Sequence, residues 1–178
     1  MFEGILFKVY QWEQKLFDGT TRTFEKVKRL PSVQVITIHN DKILIQKEWQ
    51  PQREKPFYSF TGGMTSWGEE PLAAAKRELL EETGMQADVK EAKVSSMKGK
   101  IDWPTTFFIA TNPKKVAEPK LDGGEKIEIT WRSYEEFKEI VLGPDFRLKG
   151  FERYFLRLLY EGREEEFKKE LFENKKLI

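Results

Sequence analysis

Glu78, Glu81 and Glu82 follow directly on Arg77. At helical spacing Glu78 and Glu82 share one face, a turn apart, and Glu81 borders it. Three like charges so close repel one another, and Arg77 offsets only part of that repulsion. A hard divalent cation, which prefers carboxylate oxygens, offsets more. A solvated acidic helix face gives the same local pattern, so the residues leading into it decide between the two readings. Gly62 and Gly63 permit tight backbone and close approach of a ligand. Glu69 and Glu70 lead to Pro71, which suits the first position of a helix. From there Leu72, Ala75, Leu79 and Leu80 mark an apolar face of 3.6-residue period, and Gly84 ends it.

The whole stretch is more specific than its parts. Gly63, five residues, Glu69, seven residues, then Arg77-Glu78-Leu79-Leu80-Glu81-Glu82-Thr83-Gly84-Met85 resembles the signature of the Nudix hydrolases at every fixed position. That resemblance implies hydrolysis of a nucleoside diphosphate linked to another moiety, with Mg²⁺ or Mn²⁺ held on the pyrophosphate. It makes Glu78, Glu81 and Glu82 the metal-binding acids and the Gly62 carbonyl a further ligand. Arg77 orients the acids and Glu69 braces the loop. A pyrophosphate repels both carboxylates and hydroxide. Divalent ions neutralise it, orient it and lower the pKa of a bound water, leaving the protein mostly positioning and electrostatics to supply.

The 178 residues suit one domain with a sizeable core. With 31 basic and 30 acidic residues, the net charge of +1 gives no general pull toward nucleic acid or a membrane surface. There is no cysteine, which excludes disulfides and thiolate metal sites. The start lacks a signal-peptide pattern, and no segment approaches the ~18 apolar residues of a membrane span. A cytoplasmic protein is expected.

The remaining chain must position the acids. Residues 5–17 and 20–29 read as strands around Asp18-Gly19, a strong hairpin signal, with Trp12, Phe17, Phe24 and Val27 lining its faces. Such a hairpin needs a cover, from its own domain or a second subunit. Val33–Ile38 and Lys42–Lys47 are strands joined at His39-Asn40-Asp41, and His39, the single histidine, reads as a solvent residue. The polar, aromatic stretch 49–60 enters the glycine loop. Within it Arg53 and Lys55 are placed to meet phosphates, and Trp49, Phe57 or Tyr58 to stack on a base. Residues 86–96 and 105–111 are strands separated by a loop at 97–102, with Trp103 at a strand mouth as another stacking candidate. Residues 112–124 form a long polar loop, followed by a strand at Lys126–Arg132. Ser133 and Glu136 make a capping box for a helix to about Leu142. Phe151, Phe155, Leu158 and Leu159 mark a core-facing helix. Glu164 with Lys168, and Glu165 with Lys169, are paired on a tail that reaches Lys176 with a thin apolar stripe of Phe167 and Leu171.

The flanks are similar to the ADP-ribose pyrophosphatase branch of that family, on residues 27–33 and 43–50 before the acids and Gly124-Glu125-Lys126-Ile127-Glu128-Ile129-Thr130-Trp131 after them. The likeness implies an α+β fold, an α/β/α sandwich on a mixed β-sheet, preceded by an N-terminal β-hairpin. It divides the chain into a hairpin at 1–30, exchanged in a homodimer, and a hydrolase domain with C-terminal helices at 31–178. Glu125 is its loop acid, ahead of Asp122 and Glu128. Arg29, Trp49, Arg53 and Trp103 are the substrate-binding candidates, and a nucleotide sugar, ADP-ribose first, is the substrate. The branch's usual proline about sixteen residues after the acids is absent, and Phe60-Thr61 replaces a proline and alanine before the glycines. Nucleoside triphosphates, dinucleotides or capped RNA therefore stay open as substrates, as does a module that senses a nucleotide without cleaving it.

Overall fold

Strands whose two faces are both apolar build a sheet that carries helices on both sides. The computed structural model describes residues 2–4, 6–97 and 99–173. Among these, the chain runs β1 (Phe2–Glu3), β2 (Phe7–Lys15), β3 (Thr21–Arg29), β4 (Ser32–His39), β5 (Lys42–Trp49), β6 (Phe57–Ser59) and α1 (Pro71–Thr83). It continues with β7 (Met85–Met97), β8 (Ile101–Lys115), β9 (Lys126–Arg132), α2 (Tyr134–Leu142), α3 (Lys149–Tyr160) and α4 (Glu164–Phe172). The strand order is β1-β2-β3-β8-β4-β5-β6, with β7 on β8 and β9 on β5.

The centre is the parallel pair β4 and β8, in register from Ser32 opposite Thr105 to Thr37 opposite Ala110. Alternation sends Val33 and Val35 to one face and Ile36 and Ile38 to the other. The first face packs with Phe108 and Ala110 against Ala74, Ala75 and Leu79 of α1. The second meets Phe137 of α2, Phe151 and Phe155 of α3, and Phe167 and Leu171 of α4. This is an α+β arrangement with a mixed sheet between one helix and three. The β4–β5 turn uses Asn40 and Asp41, both at positive φ (49° and 57°), the geometry of a tight hairpin and one these two residues tolerate. The α2 capping box forms as expected, with Ser133 and Glu136 serving each other's backbone N–H.

Several elements depart from expectation. Leu72 is exposed, and Ala74 takes its place in the core, because the buried stripe of α1 centres on Ala75, Leu79 and Glu82 rather than on the residues nearest Pro71. The antiparallel pairing of β7 with β8 runs far past the short apolar runs, from Met85 opposite Lys115 to Met97 opposite Trp103. It absorbs both the start of the expected 112–124 loop and part of the 97–102 loop. Lys98 of that second loop, Ile5 of the first strand and residues 174–176 of the tail lie outside the described residues. Phe17 stands at the hairpin tip, fully exposed. Glu164 bonds Lys138 of α2 rather than Lys168, and the Lys168 ammonium lies over the Tyr134 ring.

Candidate active site

The acids are placed by the ends of α1 and by the loops that touch them. At the front, Gly62 and Gly63 cross the end of β4, where the Val33 amide donates to the Gly63 carbonyl (2.9 Å) and the Val35 amide to that of Thr61 (2.8 Å). Neither glycine has room for a side chain. A Cβ on Gly62 would overlap the Val33 carbonyl, and one on Gly63 the Glu78 carboxylate. At the back, Gly84 takes the left-handed conformation (φ 68°) and its amide closes the helix onto the Leu80 carbonyl. The Val116 and Ala117 amides then donate to the Gly84 carbonyl, and the Lys120 amide to that of Glu81 (2.7 Å). The loop after β8 is thereby fastened to the helix end and carries Asp122 and Glu125 over the acids.

The cleft so formed, of about 490 Å³, is lined by five carboxylates (Glu78, Glu81, Glu82, Asp122 and Glu125) against the cations Arg77 and Lys120. Arg77 is its hub. It donates twice to Glu69 (2.9 and 3.0 Å), once each to Glu78 and Glu81 (both 2.9 Å), and once to the Met64 carbonyl (3.0 Å). Glu69 in turn accepts the Ser66 amide (2.8 Å), so one guanidinium ties the glycine loop to the helix. These bonds hold the Glu69 carboxyl below its usual range and raise the Arg77 guanidinium above its own.

Glu82 is the most enclosed of the acids, 8% exposed. Its Oε2 accepts the Gly62 amide (2.8 Å) and the Gln46 side-chain amide (2.9 Å). Burial nevertheless pushes its pKa up to about 8, with the charges of Glu78 and Glu48 adding to the rise. Burial also raises Glu78, which Arg77 offsets in part while Glu81 and Glu125 add to it. Glu125 is raised by burial first, then by Glu48 and Asp122. The site accumulates negative charge that its own cations leave uncompensated. Among the described residues no three His, Cys, Asp or Glu side chains converge into a ready-made cage, and Arg77 draws Glu78 and Glu81 to itself instead.

Of the substrate candidates, Arg29 and Trp103 come together, guanidinium over indole at 4.0 Å. They line a second chamber behind Gly62–Met64. Trp49 and Arg53 stand outside the linings of both cavities. The Trp49 ring is flanked by the Lys47 and Lys126 ammonium groups, and Arg53 lies over Phe57. Glu128 is exposed beside Lys126, and His39 is exposed in its turn. Gln46, Glu48 and Arg147 escaped the sequence reading. Gln46 holds Glu82, and the buried Glu48 accepts from Ser59 and pairs with Arg147 at 3.5 Å. The signal for Gln46 and Glu48 was a polar residue at alternate positions of β5, on the face shared with the fully buried Leu44, whereas Arg147 lies between α2 and α3 and had none. Interior polar positions of that kind require partners.

A family model described as the NUDIX domain matches residues 28–159. The chain is similar to the ADP-sugar pyrophosphatase of Mus musculus, 36% identical over 85 residues that make up 41% of this chain and 39% of that protein. It is 32% identical over 140 residues to the methanol dehydrogenase activator of Bacillus methanolicus, covering 76% of each. It is 28% identical over 146 residues to the ADP-ribose pyrophosphatase of Bacillus subtilis (strain 168), covering 79% of this chain and 78% of that one. A solved structure described as an ADP compounds hydrolase shares the fold with a TM-score of 0.71 over 92% of both chains, at 23% identity.

Proposed function

The chain belongs to the NUDIX family and is a pyrophosphohydrolase, and on that premise we propose that it hydrolyses ADP-ribose to AMP and ribose 5-phosphate with the help of a divalent metal. The observation that carries this reading is the gathering of Glu78, Glu81, Glu82 and Glu125 in one cleft beside Gly62. The substrate class is supported by the similarity to an ADP-sugar pyrophosphatase and an ADP-ribose pyrophosphatase.

The residues fit Mg²⁺ or Mn²⁺. The donors are hard oxygens, they carry more negative charge than Arg77 and Lys120 offset, and the absence of a side chain on Gly63 lets the Glu78 carboxylate lie directly against the glycine loop. Glu78, Glu81, Glu82 and the Gly62 carbonyl are the residues that would hold the ion. Bound there, it would neutralise the pyrophosphate and acidify a water. The protein's own groups then have distinct tasks. Arg77 fixes the spacing of Glu78 and Glu81 and locks Glu69 to the loop. Gln46 and the Gly62 amide hold the Glu82 carboxylate toward the glycine loop. Glu125, whose carboxyl burial lifts above its usual range, is carried on the loop tied to the helix end and lines the cleft, where it is placed to take a proton from an attacking water. Lys120 on the same loop lines the cleft as a cation for a phosphate.

The same proposal takes the working form as a homodimer through residues 1–30 and places it in the cytoplasm, acting on a soluble nucleotide sugar without a nucleic-acid partner. The test is a hydrolysis screen with Mg²⁺ or Mn²⁺ against ADP-ribose, other nucleoside diphosphate sugars, dinucleotides and nucleoside triphosphates, with products identified. ADP-ribose should be cleaved fastest, to AMP and ribose 5-phosphate, and EDTA should abolish the reaction until metal is restored. Faster cleavage of a triphosphate or dinucleotide would overturn the substrate, and full activity in EDTA would overturn the metal.

A further inference from the structure

Met64 stands where the parts of the site meet. It is half-buried and lines both the acid cleft and the second chamber. Its main chain pairs with Ser32 at the start of β4, and its carbonyl accepts from Arg77 (3.0 Å). Its thioether accepts from a different arginine, Arg29, whose Nη2 donates to Sδ at 3.1 Å. One residue thus touches the cation that spaces Glu78 and Glu81 and the cation that lies on the Trp103 indole at 4.0 Å. The chain has four methionines and no cysteine, so thioethers carry all of its sulfur chemistry. Met85 packs on the α1-side core and lines neither cavity.

A thioether is a weak acceptor. It leaves the Arg29 guanidinium short of bonds, since Nε is buried and bonds to nothing among the described residues. Oxidation by a peroxide changes the acceptor. The Sδ lone pair attacks one peroxide oxygen and the O–O bond breaks. An S–O bond forms, and the departing hydroxide takes the proton of the transferred oxygen and leaves as water. The sulfur loses two electrons and the peroxide gains them, so methionine becomes its sulfoxide. The new oxygen carries partial negative charge and is a strong acceptor beside a guanidinium with a donor to spare. Turning the Arg29 fork onto that oxygen lifts the guanidinium off the Trp103 face. It also sets a polar oxygen at the border of a cleft that already holds five carboxylates, where an anionic diphosphate has to enter.

We propose that Met64 is an oxidation site, with hydrogen peroxide as the oxidant, whose sulfoxide draws Arg29 off Trp103 and turns the hydrolase down. The loss of turnover rests on the hydrolase reading, whereas the change at the sulfur and at Trp103 does not. The test treats the full chain with graded hydrogen peroxide, removes the excess with catalase, and divides each sample for peptide mass mapping, tryptophan emission and hydrolysis of ADP-ribose with Mg²⁺. One oxygen should appear on Met64, and kcat/KM should fall in step with the Met64 sulfoxide fraction, to about a tenth or less at completion, the scale of one redirected charge-assisted hydrogen bond. Methionine sulfoxide reductases with a dithiol should restore the untreated rate. Met64→Leu should hold its own untreated rate through the same exposure. Met64→Gln, which carries a carbonyl oxygen on the same δ atom, should be slow without any peroxide. Tryptophan emission should shift as Met64 oxidises in the parent and stay constant in Met64→Leu and in Trp103→Phe. A Met64 that resists oxidation while activity falls, or an equal loss in Met64→Leu, would overturn the inference. A Met64-dependent emission shift in a chain that fails to cleave ADP-ribose would uphold the oxidation site while removing the proposed substrate. Cleavage of ADP-ribose that is indifferent to complete oxidation of Met64 would do the reverse.

Discussion

A single guanidinium sets the geometry of the acid cleft. Arg77 touches Glu69, Glu78 and Glu81 at once, so one side chain holds the three carboxylates, and Glu82 is held separately by Gln46 and Gly62. Under the metal reading, Glu82→Gln should lower turnover by orders of magnitude while the thermal unfolding profile persists, because the amide keeps the shape and an acceptor for both donors. Near-normal turnover would remove Glu82 from the ligand set. Glu125→Gln should slow turnover by about a hundredfold, with metal affinity reduced less than in Glu82→Gln. An unchanged rate would move the base role to Asp122. The raised pKa of Glu82 has a sign that can be measured on metal-free protein. A carboxyl whose folded pKa is about 8 against an ordinary 4.5 binds its proton more tightly when folded. The stability this confers is therefore complete below about pH 4.5 and is lost as pH rises through about 8. Denaturant titrations in EDTA should show a decline of up to a few kcal/mol across that window, and Glu82→Gln should flatten it. An equal decline in the variant would place its origin elsewhere.

At the level of elements, the acids were legible and their supports were not. The spacing from Gly63 to Gly84 reports a loop and a helix because caps and period are local properties, and the hairpin turns and the Ser133 capping box are local in the same way. The fastening of the 116–120 loop to Gly84 and Glu81, the length of β7 and β8, and the service of Gln46 to Glu82 across 36 residues are tertiary. No window of sequence contains both partners of those contacts. Leu72 shows the same limit, since helical period allowed its place in the apolar stripe and the position of the sheet decided against it. The glycines separate the two kinds of constraint. Gly62→Ala should destabilise by about 1–3 kcal/mol and depress activity, since φ is 150° and the new Cβ meets the Val33 carbonyl, whose strand must shift along with the amide that holds Glu82. Gly123→Ala, with open space around it, should stay within about 0.5 kcal/mol of the parent. Equal unfolding midpoints for the two variants would show that the glycine loop yields to a side chain.

At the scale of the whole molecule, the N-terminal ribbon stands out because its aromatic side chains are left exposed. β2 and β3 pair along nine residues, from Phe7 opposite Arg29 to Lys15 opposite Thr21, whereas the ribbon's strand pairing with the central sheet is short, Val27 and Lys28 beside Ile101 and Asp102. Phe7, Tyr10, Trp12 and Phe24 all remain more than a third exposed, although Trp12 and Phe24 pack on each other across the strands at 5.9 Å. A two-stranded ribbon of this kind is marginal in water without a partner surface, and an aromatic cluster left open on it is the mark of an interface. The ribbon also reaches the site, because the Lys8 ammonium lies over Trp67 of the glycine loop at 4.0 Å and Arg29 lies over Phe7 at 5.7 Å. A second copy seated on the ribbon would bury those rings and steady both chambers together. The proposed homodimer therefore predicts that light scattering gives twice the chain mass at micromolar concentration. The pair Trp12→Lys and Phe24→Lys should halve that mass and lower kcat/KM, while the core helices keep their circular dichroism. A parent chain that runs as a monomer, or a double variant that stays dimeric, would assign the exposed aromatics to some other contact.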